Sequence, residues 1–462
     1  MLDKPIEVTT PERAAGDGLP VERRRWAIAA IFIAVAMATL DTAIANIALP
    51  AIAADLHVSP AEAVWVVNVY QIAVVATLLP LGALGEIVGH QRIYLGGLVL
   101  FTLASLGCAL AWSLPSLLLA RALQGLGASG IMSVNIALVR FIYPSRLLGR
   151  GLGHNALVVA TAFTFGPTIA SAILALGPWP WLFAVNLPFG LLAFAIGAIT
   201  LPSTPRAAHP FDFPGAVLAA GCLGLFIIGI GSAAHQAPLP LVAGELGAAI
   251  ALGLVLTSRH ADHPAPMLPI DLFRRPVFAL SAATAVCSFA VQGLAFVSLP
   301  FYFEDVLQRS QVETGFFMTP WPLVVAIMAP IGGRLSDRYS AGVLGSIGLV
   351  LLGTGMALLA TLPATPGVAD IGWRMAICGI GFGLFQTPNM RALMSSAPSH
   401  RSGIVATARL TGQTLGAALA ALCFSLAGHD GATLALALGA GFAGLGSVTS
   451  LLRLTVGPAR QT

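Results

Sequence analysis

Residues 26–50 read WAIAAIFIAVAMATLDTAIANIALP, an apolar run with one charged side chain, Asp41, near its middle. At about 1.5 Å per residue, the run is long enough to cross a bilayer as a helix. A carboxylate inside hydrocarbon costs roughly 2.5–3.5 kcal/mol even on lenient insertion scales, so an acid at that depth is interpreted first as functional. The stretch therefore predicts a transmembrane helix with a functional carboxylate near its middle.

The rest of the chain has the same apolar character. Of 462 residues, 57% are apolar and only 9% are charged, whereas a soluble domain carries about 25% charge. The mean hydropathy is +0.88. Apolar segments of about 17–25 residues are typical of transmembrane helices. The predicted spans lie near 26–50, 63–83, 93–112, 115–139, 151–176, 179–201, 213–232, 239–257, 277–301, 315–332, 342–362, 371–390, 403–427 and 433–452.

Basic residues divide the connecting segments into two groups. If the N-terminus is cytoplasmic, the outward loops hold only Arg309. The inward segments hold Lys4, Arg13, Arg23, Arg24, Arg25, Arg92, Arg140, Arg146, Arg150, Arg206, Arg259, Arg274, Arg275, Arg334, Arg338, Arg391, Arg401, Arg453 and Arg460. Because cytoplasmic loops carry the excess of Lys and Arg, this distribution predicts an even number of spans with both termini in the cytoplasm.

An internal repeat divides the chain into two halves. Gly82-Ala-Leu-Gly-Glu86 returns as Gly333-Arg-Leu-Ser-Asp337, and the offset is 333 − 82 = 251 positions. This spacing predicts a parallel repeat of six helices with two additional helices between the copies. The predicted parts are a polar cytoplasmic tail (1–25), a six-helix bundle (26–201), two additional helices with flanking loops (202–276), a second bundle (277–452) and a cytoplasmic tail (453–462). The first tail lacks the short apolar core and cleavage site of a signal peptide.

Arg121 is the expected partner of Asp41. It lies about six residues inside the fourth predicted span and Gln124 follows one turn later, so both reach nearly the depth of Asp41. The distance to a guanidinium and the wetting of the site both change how strongly a carboxylate holds a proton. Asp41, Arg121 and Gln124 are therefore predicted to couple transport to proton movement. A static ion pair that only holds helices together is the alternative.

Five motifs in chain order resemble the fourteen-helix drug:proton antiporters (EmrB/QacA type) of the major facilitator superfamily. They occupy residues 40–50, 82–92, 121–127, 166–167 and 179–190. The resemblance implies an all-α polytopic membrane protein with a major facilitator fold, in which two six-helix bundles flank two extra central helices. It also implies proton-coupled export of lipophilic drugs or other small toxic organic solutes by alternating access. A proton-coupled uptake symporter or a metabolite exporter of the same fold is the alternative.

The resemblance further implies residues that gate the conformational change. They are Gly82, Glu86, Gly89 and Arg92 after the second span, Gly333, Asp337 and Arg338 in the repeat, and Gly166 and Pro167 in the fifth span. The first loop departs from the family pattern, because Glu86 stands at the usual Asp and only Arg92 remains of the usual basic residues. A plain solvated turn is therefore an alternative to a gate. Gly166 and Pro167 favour a bend and close helix packing.

Polar and aromatic side chains inside the spans predict a central substrate cavity. The candidates are Asn46, Asn68, Gln71, Thr161, Phe165, Gln292, Phe296, Trp321, Gln386, Asn389, Arg409 and Gln413. Interhelical hydrogen bonding or packing is an equally good interpretation for most of them, and for Arg409 a structural role is favoured over contact with an anionic solute. The tenth and thirteenth spans hold no carboxylate. This predicts neutral, monocationic or weakly anionic lipophilic solutes rather than dications.

Other classes of protein find little support. The five cysteines lie singly in apolar runs, without disulfide or metal-site spacing. The segment Gly125 to Gly130 matches the dinucleotide-binding pattern G-x-G-x-x-G. Because it lies inside a predicted membrane helix, its glycines are expected to allow close helix packing and not to bind a dinucleotide. The sequence lacks the motifs of hydrolases and zinc enzymes, so an enzyme is not predicted. It also lacks the rings of charged residues that are typical of ion channels. We expect a monomer in the bacterial cytoplasmic (inner) membrane, with no metal, no nucleic-acid partner and no cofactor beyond protons as the coupling ion; a periplasmic adaptor and outer-membrane channel stay open.

Overall fold

The computed structural model describes residues 18–144, 147–207, 211–234, 237–260, 275–336, 338–363, 365–396 and 403–455. In these ranges all regular secondary structure is helical. The long helices are α1 (Val21–Asp55), α2 (Trp65–Val88), α3 (His90–Ala109), α4 (Leu114–Ile142), α5 (Leu148–Leu176), α6 (Asn186–Thr200), α7 (Phe213–Ala234), α8 (Leu239–His260), α9 (Pro276–Phe301), α10 (Pro320–Leu335), α11 (Ala341–Ala360), α12 (Val368–Ser396), α13 (Gly403–Ala427) and α14 (Gly431–Leu452).

Shorter helical pieces lead into or extend several of these helices. They are Pro60–Ala63, Trp181–Ala184, the π-helical turn Tyr302–Val306, Gln311–Met318 and the 3-10 turn Gly428–Asp430. Two of them begin with a capping box, in which Ser59 pairs with Glu62 and Ser310 pairs with Glu313. Each box satisfies backbone donors that have no partner within the helix. These two short helices therefore begin at a defined residue, directly after the capping serine.

The length and composition of the helices suit a bilayer. Thirteen helical segments are long and apolar enough to cross a membrane, and in α13 the apolar part that the structure describes, Thr411–Ala427, is shorter. Each of the fourteen predicted spans falls on one of the fourteen long helices. The prediction of an all-helical, multi-pass protein is confirmed. Several boundaries differ by a few residues: α1 continues through Pro50 and ends at Asp55, and α12 ends at Ser396 instead of near residue 390.

Large apolar side chains cover the outside of the helices. Leu103, Ile250 and Leu254 are each more than 60% exposed. In a soluble protein, extended apolar patches of this kind mark association sites. On helices of membrane-spanning length they suit contact with lipid tails, while the backbone polar groups are satisfied within each helix.

The two halves are built alike. In the first half α3 and α2 both pack against α4, and in the second half α11 and α10 both pack against α12. Helices α3 and α11 each have 20 residues. Their first residues, His90 and Ala341, are 341 − 90 = 251 positions apart, the offset of the sequence repeat. The additional helices α7 and α8 pack on each other, and α7 also contacts α2 of the first half and α13 of the second.

The helix ends define two faces of the molecule. We call the side where α1 begins and α14 ends the terminal face, and the other side the opposite face. On the terminal face, Arg23 Nε donates to the carbonyl oxygen of Thr200 at 3.0 Å. On the opposite face, the indole Nε1 of Trp179 donates to Asp55 Oδ2 at 2.8 Å. These bonds tie the ends of α1 to the sixth-helix region on both faces.

The halves are joined mainly toward the opposite face. One apolar cluster combines Ile44 to Ala53 of α1 with residues of α9, including Phe296 and Phe301. A second cluster contains Ala27 to Ala38 of α1, and its members all precede α8. The core therefore passes from one half to the other beside the opposite-face part of α1. Polar contacts between α5 and the α10 region reinforce this closure: Thr168 Oγ1 lies 2.7 Å from Thr319 Oγ1, and Ser171 Oγ donates to the Gln311 carbonyl oxygen at 2.9 Å.

Candidate functional site

Asp41 and Arg121 form a buried ion pair. Helix α4 begins at the opposite face, so Arg121, its eighth residue, comes level with the middle of α1. Arg121 Nη1 lies 2.5 Å from Asp41 Oδ2. Asp41 is 2% exposed and Arg121 0%. Burial of two charges at this depth is tolerated because each compensates the other.

Two amides complete the shell of Asp41. Gln124 Nε2 and Asn186 Nδ2 donate to Asp41 Oδ1 at 2.9 and 3.1 Å. Gln124 Oε1 also accepts from Arg121 Nη1 at 2.5 Å, and Gln124 Nε2 contacts Ser105 Oγ at 2.8 Å. Helices α1, α3, α4 and α6 thus each contribute one or more side chains. Both oxygens of the buried carboxylate therefore accept hydrogen bonds from side chains.

The guanidinium of Arg121 is fixed on its other sides as well. Its Nε donates to the carbonyl oxygen of Val66 at 3.0 Å. Its central carbon lies 4.2 Å from the centroid of the Tyr70 ring and 5.4 Å from that of Phe183. Such cation–π contacts stabilise a desolvated guanidinium. Its Nη2 has no hydrogen-bond partner among the described residues, so protonation of Asp41 would leave a buried cation with less compensation.

A large cavity lies between the two halves. Its volume is about 840 Å³, within the range of small-molecule sites. It reaches the terminal-face ends of α10 and α12 at Ser336 and Arg391. The lining residues are Val159, Phe163, Thr164, Phe289, Gln292, Trp321, Pro322, Val325, Ala326, Ala329, Gly333, Ser336, Phe382, Gln386, Thr387, Met390, Arg391, Arg409 and Gln413. With the opposite face closed, the cavity extends toward the terminal face.

A narrow cleft lies between the wall of this cavity and the neighbourhood of Asp41. Its volume is about 30 Å³, and Thr42 and Tyr70 line one side while Arg409 and Gln413 line the other. Arg409 and Gln413 also line the large cavity. Asp41 itself lines neither space. Tyr70, which stacks on Arg121, is therefore the side chain that lies between the ion pair and the cleft.

The structure brings some of the predicted cavity residues together. Gln292, Trp321, Gln386, Arg409 and Gln413 line the cavity. Gln413 Nε2 donates to Gln292 Oε1 at 2.8 Å. Phe296 lies behind this lining, because its ring centroid is 5.4 Å from that of Trp321.

Other predicted cavity residues lie elsewhere. Asn46 donates to the carbonyl oxygen of Thr42 at 2.9 Å, and Asn68 is buried with its Oδ1 unpaired among the described residues. Gln71 Oε1 accepts from Thr414 Oγ1 at 2.9 Å, which links α2 to α13. Thr161 and Phe165 are exposed on α5 and do not line the cavity.

Asn389 belongs to a polar cluster at the terminal face. Its Oδ1 accepts from Arg453 Nη1 at 2.7 Å, and its Nδ2 donates to the carbonyl oxygen of Ser281 at 3.2 Å. Arg453 is only 7% exposed. The cluster joins α9, α12 and the end of α14, and Asn389 is not among the cavity-lining residues.

The first predicted gate forms a tight turn between α2 and α3. Gly89 has φ +109°, a conformation that side chains other than glycine rarely adopt. The backbone nitrogen of His90 donates to Thr204 Oγ1 at 2.9 Å, and that of Ala207 donates to the Glu86 carbonyl oxygen at 2.8 Å. The segment after α6 therefore lies against this turn. Gly82 lies beside Ser133 of α4, and Arg92 is exposed.

The other predicted gating residues have varied surroundings. Gly333 lines the cavity. Arg338 is exposed, and Asp337 lies outside the described residues. Gly166 packs against Ala43 so closely that an added methyl group would collide with it, and Pro167 lies inside α5. Close contact of α5 with α1 is thus one consequence of the Gly-Pro pair.

Sequence reasoning missed several residues of this site. Ser105, Tyr70 and the linker residue Thr204 were not predicted, and Asn186 was included only as part of the motif at residues 179–190. The sequence did contain a signal for Asn186. A buried amide among apolar residues at the start of a helix needs a hydrogen-bond partner, so Asn186 could have been predicted to belong to a polar site. The glycines of the G-x-G-x-x-G match lie at helix contacts as predicted: Gly125 faces Tyr70, and Gly127 faces Gly97 and Phe101.

Comparisons with known proteins agree with this architecture. The family profile "Major Facilitator Superfamily" matches residues 31–421. The uncharacterized transporter YebQ of Escherichia coli is 48% identical over 449 residues, covering 96% of this chain and 98% of that protein. The riboflavin transporter RibZ of Clostridioides difficile is 30% identical over 407 residues, covering 87% and 88%. The multidrug resistance protein Stp of Mycobacterium tuberculosis is 31% identical over 398 residues, covering 83% and 72%.

A solved structure shares the fold at low sequence identity. The crystal structure of an auto-inhibited POT family peptide transporter superposes with a TM-score of 0.69, covering 94% of this chain and 97% of that one, at 17% identity. This likeness bears on the fold alone. Together with the family profile and the relative that is 48% identical, it shows that the chain belongs to the major facilitator superfamily of membrane transporters.

Proposed function

We propose that this protein is a proton-coupled exporter of small organic solutes, a drug:proton antiporter of the fourteen-helix EmrB/QacA type. The observation that carries the proposal is the buried Asp41–Arg121 pair, with the carboxylate held by Gln124 and Asn186. Ionisable residues inside a membrane bundle are rare, and a buried acid there marks an ion or proton pathway by default. Relatives named for multidrug resistance, and the tetracenomycin C resistance and export protein of Streptomyces glaucescens, at 28% identity, support the direction of transport.

The proposed orientation places the terminal face in the cytoplasm of a bacterium, with the protein acting as a monomer in the inner membrane. The excess of arginine in segments on this face supports the assignment. The cavity that reaches Ser336 and Arg391 then opens to the cytoplasm, and the closed side faces outward. In this state the transporter accepts its solute from the cell interior.

The ion pair supplies a physical route to coupling. A proton that reaches Asp41 neutralises the carboxylate and removes its attraction for Arg121. The guanidinium, held by Val66 and Tyr70 of α2, then lacks its counter-charge and favours an arrangement of α1, α2 and α4 with more water. One proton driven across 100 mV provides about 2.3 kcal/mol, enough for a roughly fifty-fold gradient of a neutral solute.

A metabolite transporter of the same fold is the second candidate. The similarity to the riboflavin transporter RibZ over 87% of this chain favours it. The two candidates differ in solute and direction, and both require proton coupling through Asp41. A susceptibility panel of cells with and without the protein would identify the solute for the following experiment.

Inside-out vesicles energised to an acidic interior test the proposal. Addition of the solute should dissipate the pH gradient and accumulate solute in the vesicles. Asp41→Asn should abolish this response. Asp55→Asn, a matched change in the same helix that keeps an oxygen acceptor for Trp179, should leave it intact. Gradient-driven transport by the Asp41→Asn protein would overturn proton coupling, and accumulation by whole cells would favour uptake.

A further inference from the structure

Arg409 is a cation in the cavity wall that has no ion-pair partner in the part of the chain that the structure describes. It lies in α13 and lines both the large cavity and the cleft. Among the described residues it forms no ion pair, and its Nε is buried without an acceptor. A desolvated guanidinium without compensation is costly. This arginine is therefore expected to bind something that the protein does not supply.

Other buried arginines in the described part of the chain have partners. Arg121 pairs with Asp41. Arg374 pairs with Asp370 at 3.2 Å and also donates to the Leu358 carbonyl oxygen. Arg453 donates to Asn389. The contrast indicates that Arg409 is not a structural cation of the same kind.

The other described residues of the cavity lining offer no counter-charge. The lining residues include Arg391 near the terminal face, and none of them is an acid. The Arg409 guanidinium in the cavity wall, with no acid among the described lining residues, favours a ligand that carries negative charge.

Aromatic rings define the rest of the pocket. The ring centroids of Phe289 and Phe382 lie 5.4 Å apart, and Phe163 is 5.4 Å from Phe296, which packs on Trp321. Ring-lined walls bind flat apolar bodies through stacked and edge-to-face contacts. The volume of about 840 Å³ accommodates a body of two or three fused rings.

We propose that the cavity binds aromatic organic monoanions, with the carboxylate or similar oxyanion of the solute held by Arg409 and the ring system held by the aromatic walls. Guanidinium is the preferred cation for planar oxyanions, because its donors match both oxygens. The proposal rests on the proposed function in one respect, that this cavity is the transport site. It narrows the expected substrates from lipophilic solutes in general to anionic ones.

Equilibrium binding to the purified full-length protein in nanodiscs tests the proposal without any proton gradient. The probes are three fluorescent compounds with one ring system: anthracene-9-carboxylate, anthracene-9-carboxamide and 9-(aminomethyl)anthracene as its ammonium. Fluorescence anisotropy should give at least about tenfold tighter binding for the carboxylate than for the other two, as expected for one charge-assisted hydrogen-bonded pair.

Variants separate recognition from structure. Arg409→Gln should remove the preference for the carboxylate and change binding of the carboxamide by less than about threefold, while Arg409→Lys should retain part of the preference. Arg374→Gln, which removes an arginine of the same half outside the cavity, should keep the preference.

Equal binding of the three probes by the unmodified protein, or tighter binding of the ammonium, would overturn the proposal, as would an equal loss for all probes in Arg409→Gln. If Arg409→Gln does not fold, the ranking in the unmodified protein and in Arg409→Lys decides. Asp41→Asn should still bind the carboxylate selectively, so failure of proton coupling and failure of anion recognition give different results.

Discussion

Asn186 Nδ2 and Asp41 Oδ1 are 3.1 Å apart, so the first residue of α6 donates to the carboxylate at the centre of α1. The same oxygen accepts from Gln124 of α4. Helix α6 also contacts α1 and α3 along its length. A movement of α6 or of α4 would therefore change the hydrogen bonds that the Asp41 carboxylate accepts.

Asn186→Leu should slow proton-driven transport about tenfold, because it removes one hydrogen bond to a buried charged group, worth roughly 1.5–3 kcal/mol. Leucine keeps the branched shape of asparagine but is larger, so the control makes the same substitution at another buried asparagine. The measurement is the initial transport rate in vesicles at fixed pH gradient. Asn135→Leu is the control, since Asn135 donates to Asn155 outside the network. Equal losses in both variants would contradict a specific role for Asn186.

Arg121→Lys should reduce gradient-driven transport tenfold or more although the positive charge is kept. Arg121 bonds Val66, Asp41 and Gln124 and stacks on Tyr70. A lysine ammonium cannot reproduce this planar set of contacts. Transport rates in vesicles should fall while solute binding at equilibrium stays near the unmodified value. Arg374→Lys provides the matched control, and normal transport by Arg121→Lys would show that charge alone suffices.

Hydropathy and charge predicted the fold well because a bilayer imposes strong constraints on length and polarity. A rise of 1.5 Å per residue was enough to predict that Asp41 and Arg121 lie at a similar depth. In the structure Arg121 Nη1 lies 2.5 Å from Asp41 Oδ2. Their role in proton coupling stays a prediction. The repeat offset of 251 positions likewise reappears in α3 and α11.

Rotation of each helix about its axis was much harder to predict. Helices that are apolar all round lack the polar stripe that reports which side faces inward. Thr161 and Phe165 accordingly lie on the exposed side of α5, and Asn389 binds Arg453 instead of lining the cavity. Ser105 was missed for another reason. A single serine in a membrane helix can donate its hydroxyl to a backbone carbonyl oxygen of the same helix, as Ser105 does to Phe101, so its presence does not indicate a partner on another helix.

Gly97→Val should lower the thermal stability of the protein, and Gly96→Val should not. A side chain at Gly97 would meet the Gly127 carbonyl oxygen and the Gly130 Cα of α4, both within 3 Å, whereas nothing lies within 4 Å of Gly96. Forcing apart two closely packed helices costs about 1–3 kcal/mol. Melting of the purified proteins in detergent should show the difference between these adjacent positions. Similar melting temperatures would contradict the close α3–α4 contact.

Thr168→Cys with Thr319→Cys should give a protein that oxidation locks shut at the opposite face. The two hydroxyl oxygens are 2.7 Å apart across the α5–α10 contact, and side chains that touch lie within the range a disulfide can bridge. The native cysteines are free thiols, and all but the part-exposed Cys222 are buried. Because alternating access requires this contact to separate, oxidation should reduce transport at least about tenfold, and a reductant should restore it. Thr168→Cys with Thr354→Cys, on the exposed side of α11, should be insensitive to oxidation. Full transport by the cross-linked Thr168–Thr319 pair would show that the opposite face does not open during the cycle.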